Sequence, residues 1–367
     1  MFFFFYPRLM LSQIMWKLER SAAELETLSD RAKLMVTAEI SKKPSKPLKD
    51  SIERFFEFFM IQPVSLDPYG VVKKIDHVIK AEKQRFNYFV NQVAPTADKE
   101  KKAALQMGLA GGITVHQIAK VVRHFVELIR KEKSYQMAMI IQMQLPMVER
   151  MAKAMFSGTK TMSKAKPIGD GLGPLAVAHL IGKGKAREIE EDIVMHKTQM
   201  NGRTVFLMKA AGPGGRIGYP GKAVEKIIKA NKINKIITID AAAKLEGEKT
   251  GSVAEGVGVA MGGPGVERTY IENIAVSKNI PIDSIIVKMS QEEAIMPMRK
   301  AIKDAMPKVK EALERSFDRT KKGDQIIIVG VGNSSGVGTG EKSIKELERW
   351  VERHEKELLK KKRKKKK

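Results

Sequence analysis

Along the first 160 residues, apolar side chains return at three- and four-residue intervals, as in Leu18, Ala22, Leu25, Ala32 and Met35, and again in Ile52, Phe55, Phe56 and Phe59. That spacing lines one face of a helix, and no two-residue alternation of the strand kind interrupts it. Pro44, Pro47, Pro63, Pro68, Pro95 and Pro146 cut the stretch into roughly six predicted helices, because proline lacks the helical N–H and its ring crowds the preceding turn. The segment 103-AALQMGLAGGITVHQIAKVVRHF-125 predicts two helices joined at a Gly-Gly turn. Its second half shows Ile118, Val121, Val122 and Phe125 as a core face with few base-reading side chains, which favours a plain helical hairpin over a DNA-reading motif. Met139, Met143, Met147, Met151 and Met155 step by four along one face, as adaptable core or interface residues do.

After residue 160 the pattern changes. Of the 29 glycines, five precede this point and 24 follow it, in loops between short β-branched runs. The runs are 204-TVFLMKA-210, 235-KIITID-240, 284-SIIVKM-289 and 325-QIIIVGVG-332. Continuous apolar stretches of this length, separated by helical segments, predict buried parallel strands of an α/β sheet. Ile344, Leu347, Val351, His354 and Leu358 form one stripe of a closing helix. The expected organisation is an apolar N-terminus over 1–16, an all-helical domain over 17–160, an α/β domain over 165–340, an amphipathic helix over 341–359 and a disordered basic tail over 360–367.

Charge and composition narrow the picture. The formal net charge is +25, but Lys360 to Lys367 supply eight of those charges from a segment too polar to fold alone. Such a tail meets nucleic acid or anionic lipid without sequence preference. The absence of cysteine excludes disulfides, thiolate metal sites and a thiol nucleophile, and it fits a reducing compartment such as the cytoplasm. The opening MFFFFYPRLMLSQIMW is too short to span a bilayer and is broken by Pro7 and Arg8. It reads either as the end of a membrane anchor, with the soluble domains in the cytoplasm, or as an apolar terminus packed on the helical domain.

Glycine-rich loops first suggest phosphate. The stretch Gly215 to Lys222 approaches a nucleotide-binding P-loop, but its outer glycines are separated by five residues and Ala223 stands where a magnesium-binding hydroxyl belongs. No GxGxxG follows any predicted strand, so a dinucleotide site is unsupported. The loop 212-GPGGRIGYPGK-222, with Gly214 and Gly215, either binds an anion through backbone donors or simply connects strand to helix. Carboxylates are the sharper lead. Asp170 lies in the tight turn 168-IGDGLGPLAVAHL-180, and Asp240 ends 235-KIITID-240, where open α/β sheets place ligands. Each alone reads as a helix cap as readily as a catalytic group. Glu292 and Glu293 read as caps of the following helix, and His179 as a core histidine.

The order GDGLGP, strand, Gly/Pro loop, strand ending IDAAA and then GGPGVER resembles the phosphorylase/hydrolase-like fold of the spore germination protease and the hydrogenase-maturation endopeptidases. In that grouping the first acid sits in a D-x-L/V-G-P turn, matched by Asp170, Leu172, Gly173 and Pro174, and the second ends a strand before alanine, matched by Asp240 and Ala241. A PG-containing loop then precedes basic and polar residues, matched by Gly263, Pro264, Gly265 and Arg268. As a whole the chain also resembles an uncharacterised archaeal family of membrane-anchored proteins, which implies no activity.

Those hydrolases begin with a strand and a GxGN turn before the first acid. Here the run of that kind, 325-QIIIVGVGNSS-335, stands at the other end, which predicts a circular permutation placing Asn333 beside Asp170. The resemblance implies a hydrolase, of the peptidase kind, in which Asp170 and Asp240 divide acid and base roles around a water while Glu267 and Arg268 orient substrate. With no histidine between His196 and His354, a metal would need oxygen ligands such as Asp170, Asp240, Glu246 or Glu267, which suits magnesium or manganese. The rival expectation is a non-catalytic scaffold at a membrane surface that binds an anionic ligand or nucleic acid through its Gly-rich loops and basic tail.

Overall fold

A computed structural model of the chain describes residues 2–60 and 70–366, so Pro63 and Pro68 lie outside the described residues. Its contacts divide the chain into two compact units, Met1–Phe59 with Leu105–Lys164 and Met60–Ala104 with Ala165–Lys367. The first five helices are α1 (Phe2–Ile40), α2 (Lys46–Phe56), α3 (Val71–Val93), α4 (Lys99–Glu132) and α5 (Tyr135–Met162). The expected helical domain over 17–160 is therefore interrupted: α3 and the first turn of α4 belong with the α/β unit. Asp76 of α3 pairs there with Lys222 at 3.5 Å, and Lys83 with Asp192 at 2.6 Å.

In the helical unit, α1 packs on α4 and α5 through Leu18, Ala22, Leu25, Val122, Val126, Ile129 and Leu145. Arg123 chelates Glu26 through two bonds of 2.6 and 2.7 Å, and Ser21 donates to Glu149 at 2.6 Å. The expected turn at Gly111–Gly112 is absent, because α4 runs unbroken through it. These glycines serve close packing instead: a Cβ on Gly111 would lie 2.4 Å from Thr159 Oγ1, and one on Gly112 2.7 Å from Phe56 Cζ. Pro146 likewise sits inside α5 rather than ending it. Met139, Met143 and Met147 are exposed together with Ile140, so this face of α5 is not core. Among the described residues, no helix is long and apolar enough to cross a membrane.

In the second unit a turn of 3-10 helix, Gly169–Gly171, leads into α6 (Leu172–Ile181). Then follow β1 (Arg187–Glu190), β2 (Ile193–Met200), β3 (Arg203–Ala210), α7 (Pro220–Ala230), β4 (Lys235–Ala243), β5 (Val253–Val257), α8 (Val266–Lys278) and β6 (Ile282–Met289). The chain closes with α9 (Gln291–Ile295), α10 (Lys300–Lys303), α11 (Met306–Asp318), β7 (Gln325–Gly330) and α12 (Glu341–Lys366). The seven strands lie in the order β1-β2-β3-β7-β4-β6-β5. All four strands read from the sequence are present and mutually parallel at the centre, with β7 between β3 and β4. The outer strands β1, β2 and β5 run antiparallel to their neighbours.

Both faces of this sheet are covered, which is why its central strands are apolar at successive positions. Leu207, Ile239 and Ile328 meet α6, α11 and α12 on one side. Phe206, Ile236 and Ile327 meet α7 and α8 on the other. The closing helix does not stop near residue 359. It continues through the lysine run to Lys366, since lysine and arginine are good helix formers and cations suit a helix C-terminus.

Candidate functional site

The site lies at the C-terminal ends of the parallel strands. Strand β4 pairs with β7 only as far as Ile239↔Gly330, but with β6 as far as Ala243↔Met289. Asp240 thus stands where β4 loses one neighbour, at the strand ends where an open α/β sheet usually places its ligand. The strand does not end at Asp240, as the sequence suggested, but runs three residues further along β6.

Glycines bring the first acid to these strand ends. A Cβ on Gly173 would lie 2.1 Å from Val331 O and 2.4 Å from Ile239 O, so only glycine lets the first turn of α6 rest on the ends of β7 and β4. Gly332 adopts φ +125°, and a Cβ there would meet Asp170 O at 2.1 Å. The turn is strapped on its other side, where Gly169 N donates to Met296 O at 3.1 Å and Met298 N to Pro167 O at 2.9 Å.

Asn333 N donates to Asp170 Oδ2 at 2.7 Å, and Ala241 N donates to Asp240 Oδ1 at 2.6 Å. The Asn333 side chain accepts from Ser335 N at 2.9 Å, which fixes the loop that presents its amide. Asp240 is 4% exposed. Its burial, then the nearby charge of Asp170, push its carboxyl up to about 8 against the opposing Ala241 N–H. Burial also raises Asp170, partly offset by the Asn333 N–H. Asp170 keeps some accessible surface although protein atoms crowd it closely. Burial together with the Asp170 charge therefore favours the protonated form of Asp240 at neutral pH.

The remaining expected site residues are engaged elsewhere. Gly214 N donates to Glu100 Oε2 at 2.5 Å, so its backbone donor is filled by a carboxylate of the chain itself. Gly215 is buried in the same loop. Glu267 Oε2 accepts from Gly221 N at 2.7 Å and caps α7, while burial raises its pKa. Arg268 is exposed and pairs with Glu272 at 2.8 Å one turn along α8. Gly265, at φ +81°, is the N-cap of that helix with open space beside it.

Glu293 forms a capping box with Ser290, as expected of a cap. His179 is not a core residue but lies toward the surface, 3.4 Å from Glu348. Among the described residues, no group of three or more His, Asp or Glu side chains is placed to hold a metal, so Asp170, Asp240, Glu246 and Glu267 do not form the oxygen cage envisaged for magnesium or manganese.

Sequence reasoning missed Lys209 and Arg216. Lys209 is 1% exposed and Arg216 5%. The available signal was a lysine inside the apolar run 204-TVFLMKA-210, where a charge has no place unless something nearby requires it. A separate depression of roughly 360 Å³ lies on the helical unit, lined by Ser29, His116, Lys120 and Arg123 among others. Within it Arg123 pairs with Glu26, and His116 with Ser29 and Glu57.

No curated protein and no solved structure matches this chain. Two family models do. Residues 1–165 match "Protein of unknown function (DUF1512) N-terminal domain", and residues 168–338 match "Domain of unknown function (DUF1512) C-terminal". The boundary between the matches falls at the acid turn, so Asp170 and Asp240 both lie in the second. With nearly the whole chain accounted for by these two halves, the protein belongs to the DUF1512 family.

Proposed function

We propose that the α/β unit is a hydrolase, of the peptidase kind, in which Asp170 and Asp240 act together on a water and a scissile bond. The observation that carries this reading is the placement of Asp240, 4% exposed where β4 loses β7 as a neighbour, with burial and the Asp170 charge holding its carboxyl up to about 8. At neutral pH Asp240 is then the protonated partner and donates to the leaving group. Asp170, whose anion the Asn333 N–H favours, accepts a proton from the attacking water. Environments that separate two carboxyls in this way are a recurrent means of dividing acid and base roles. The likeness to the germination protease turn supports the peptide-bond assignment through Asp170, Gly173, Pro174 and Asp240.

The test is a quenched-fluorescence peptide library incubated with the full chain, with and without added magnesium or manganese. Cleavage should appear and should fall at least about a hundredfold in Asp170→Asn and in Asp240→Asn, the scale of losing an acid–base group. Cleavage that survives both substitutions would remove the acid pair from the mechanism.

A second reading, a scaffold at a membrane surface, is favoured by one observation: Met139, Ile140, Met143 and Met147 form an exposed apolar face on α5. The basic α12 adds a nonspecific attraction to anionic lipid or nucleic acid. Flotation with phosphatidylglycerol vesicles tests it, and Met143→Glu with Met147→Glu should abolish co-flotation. The Gly-rich loop contributes less to this reading than expected, because Glu100 and Glu267 already take the Gly214 and Gly221 donors.

A further inference from the structure

On the far side of the Gly332–Val337 segment from Asp170 lies a second polar centre that acid–base chemistry does not use. Asn333 holds Asp170, while the adjacent Ser334 donates its N–H to Arg216 O at 2.9 Å and its hydroxyl to Gly214 O at 3.0 Å. The loop after β3 is thus fastened directly to the acid turn's own support.

Two deeply buried cations lie here, Lys209 near the end of β3 and Arg216 in the loop that follows it. Lys209 Nζ donates to Ala210 O at 2.9 Å and Val337 O at 3.2 Å, with no carboxylate in ion-pair contact among the described residues. Arg216 places Nη1 2.8 Å from Glu100 Oε2 and Nε 3.3 Å from Asp192 Oδ1. Gly214 N donates to the same Glu100 oxygen at 2.5 Å. Burial lowers the Lys209 ammonium to about 8, with the Glu100 charge opposing and the Arg216 charge reinforcing that shift. One carboxylate is therefore felt by an amide, a guanidinium and an ammonium together.

The members of this centre differ in how firmly they are held. The Arg216 side chain is 5% exposed, whereas that of Glu100 is 39% exposed, on the first turn of α4. Asp192, whose side chain is 14% exposed, stays against Arg216 if Glu100 turns outward, so the guanidinium is never left without a counter-charge. An unpaired buried ammonium costs stability, and a chain that needed only to tie down two carbonyls would not require one.

We propose that Gly214, Arg216 and Lys209 form a carboxylate-binding subsite beside the acid pair, occupied in this structure by Glu100 as an internal stand-in for a ligand's carboxylate. The ligand class is a short organic carboxylate, the free C-terminus of a peptide included. Binding here does not require that the acid pair hydrolyse anything, so failure of the subsite and failure of the hydrolase reading are seen in different experiments. A tethered competitor acts at an effective concentration in the millimolar range or above, so the intact chain binds free carboxylates weakly and release of Glu100 strengthens binding.

The experiment is a titration of full-length protein labelled with 15N-glycine, following the Gly214 amide by NMR. Acetate and N-acetylglycine are added at constant ionic strength to the intact chain, to Glu100→Gln and to Lys209→Met. The Gly214 resonance should move saturably in the intact chain, at least about tenfold more tightly in Glu100→Gln, and more weakly in Lys209→Met, while chloride leaves it unmoved. No movement in Glu100→Gln, or movement there with none in the intact chain, overturns the proposal, because Glu100 is then a permanent part of the fold. If Glu100→Gln does not fold, the intact titration decides alone. Tighter binding of inorganic phosphate than of either carboxylate overturns the assigned ligand class.

Discussion

The amide of Asn333 reaches Asp170 Oδ2 at 2.7 Å across 163 positions of sequence, joining the turn before α6 to the loop after β7. One hydrogen bond thereby ties the beginning of the α/β unit to its last strand and stabilises the ionised form of one of two neighbouring acids.

The pH dependence of stability follows from Asp240. Its carboxyl is raised to about 8 in the folded chain, so the fold prefers the protonated form. That preference is fully present below the unfolded value, near 3.8, and is lost as pH rises through 8. The loss approaches about 6 kcal/mol, since each tenfold change in proton affinity is worth ~1.4 kcal/mol. Asp240→Asn, which mimics the protonated acid, should flatten the fall in stability between pH 4 and 8 and be the more stable protein at pH 9. Urea unfolding across that range checks this.

Lys209 has the opposite sign. Burial depresses its pKa to about 8, so the fold prefers the neutral amine, a preference present above the unfolded value of 10.5 and lost as pH falls through 8. Lys209→Met should therefore unfold at higher urea than the parent at pH 7, by up to about 3 kcal/mol. The two should converge toward pH 10.5.

Gly173 is the residue on which placement of the acid turn depends. Gly173→Ala forces a Cβ to within 2.1 Å of Val331 O, and α6 must lift from the strand ends. Expected are a loss of about 3 kcal/mol in stability and a fall in the Asp240 pKa as the acids separate. A carbon-detected titration of the aspartates reads the second effect independently of the first.

How much of this was legible depended on whether the cause was local. The runs ending in Asp240 and Gly330 declare themselves, because strands buried on both faces must be apolar throughout. The outer strands β1, β2 and β5 do not, since 193-IVMHKTQM-200 and 253-VAEGV-257 mix charge and apolar residues on a half-exposed surface. Asp170 and Asp240 stood out in the sequence from their positions before a helix and at the end of an apolar run, although β4 itself continues to Ala243. Glu100 was not, because nothing in 99-KEKK-102 announces that its carboxylate fills a loop more than a hundred positions away. Gly111 and Gly112 misled for the same reason. A glycine that admits Thr159 or Phe56 is indistinguishable in sequence from one that makes a turn.

That distinction gives a prediction of its own. Gly111→Ala should destabilise the helical unit by about 1–3 kcal/mol despite a gain of about 1 kcal/mol in helix propensity, because the methyl meets Thr159. Thr159→Ala in the same chain should recover most of the loss. Additive effects of the two substitutions in thermal unfolding would mean that the helices do not approach closely at that point.

The central claim is that Asp170 and Asp240 lie together at the strand ends and that the Asp170 charge helps to hold Asp240 protonated. It is tested most directly by titrating 13C-carboxyl aspartate in the intact chain and in Asp170→Asn. The account predicts a resonance for Asp240 with a midpoint near 8 that moves to lower pH once the Asp170 charge is gone. A midpoint in the ordinary carboxylate range, or one near 8 that Asp170→Asn leaves unmoved, would contradict it.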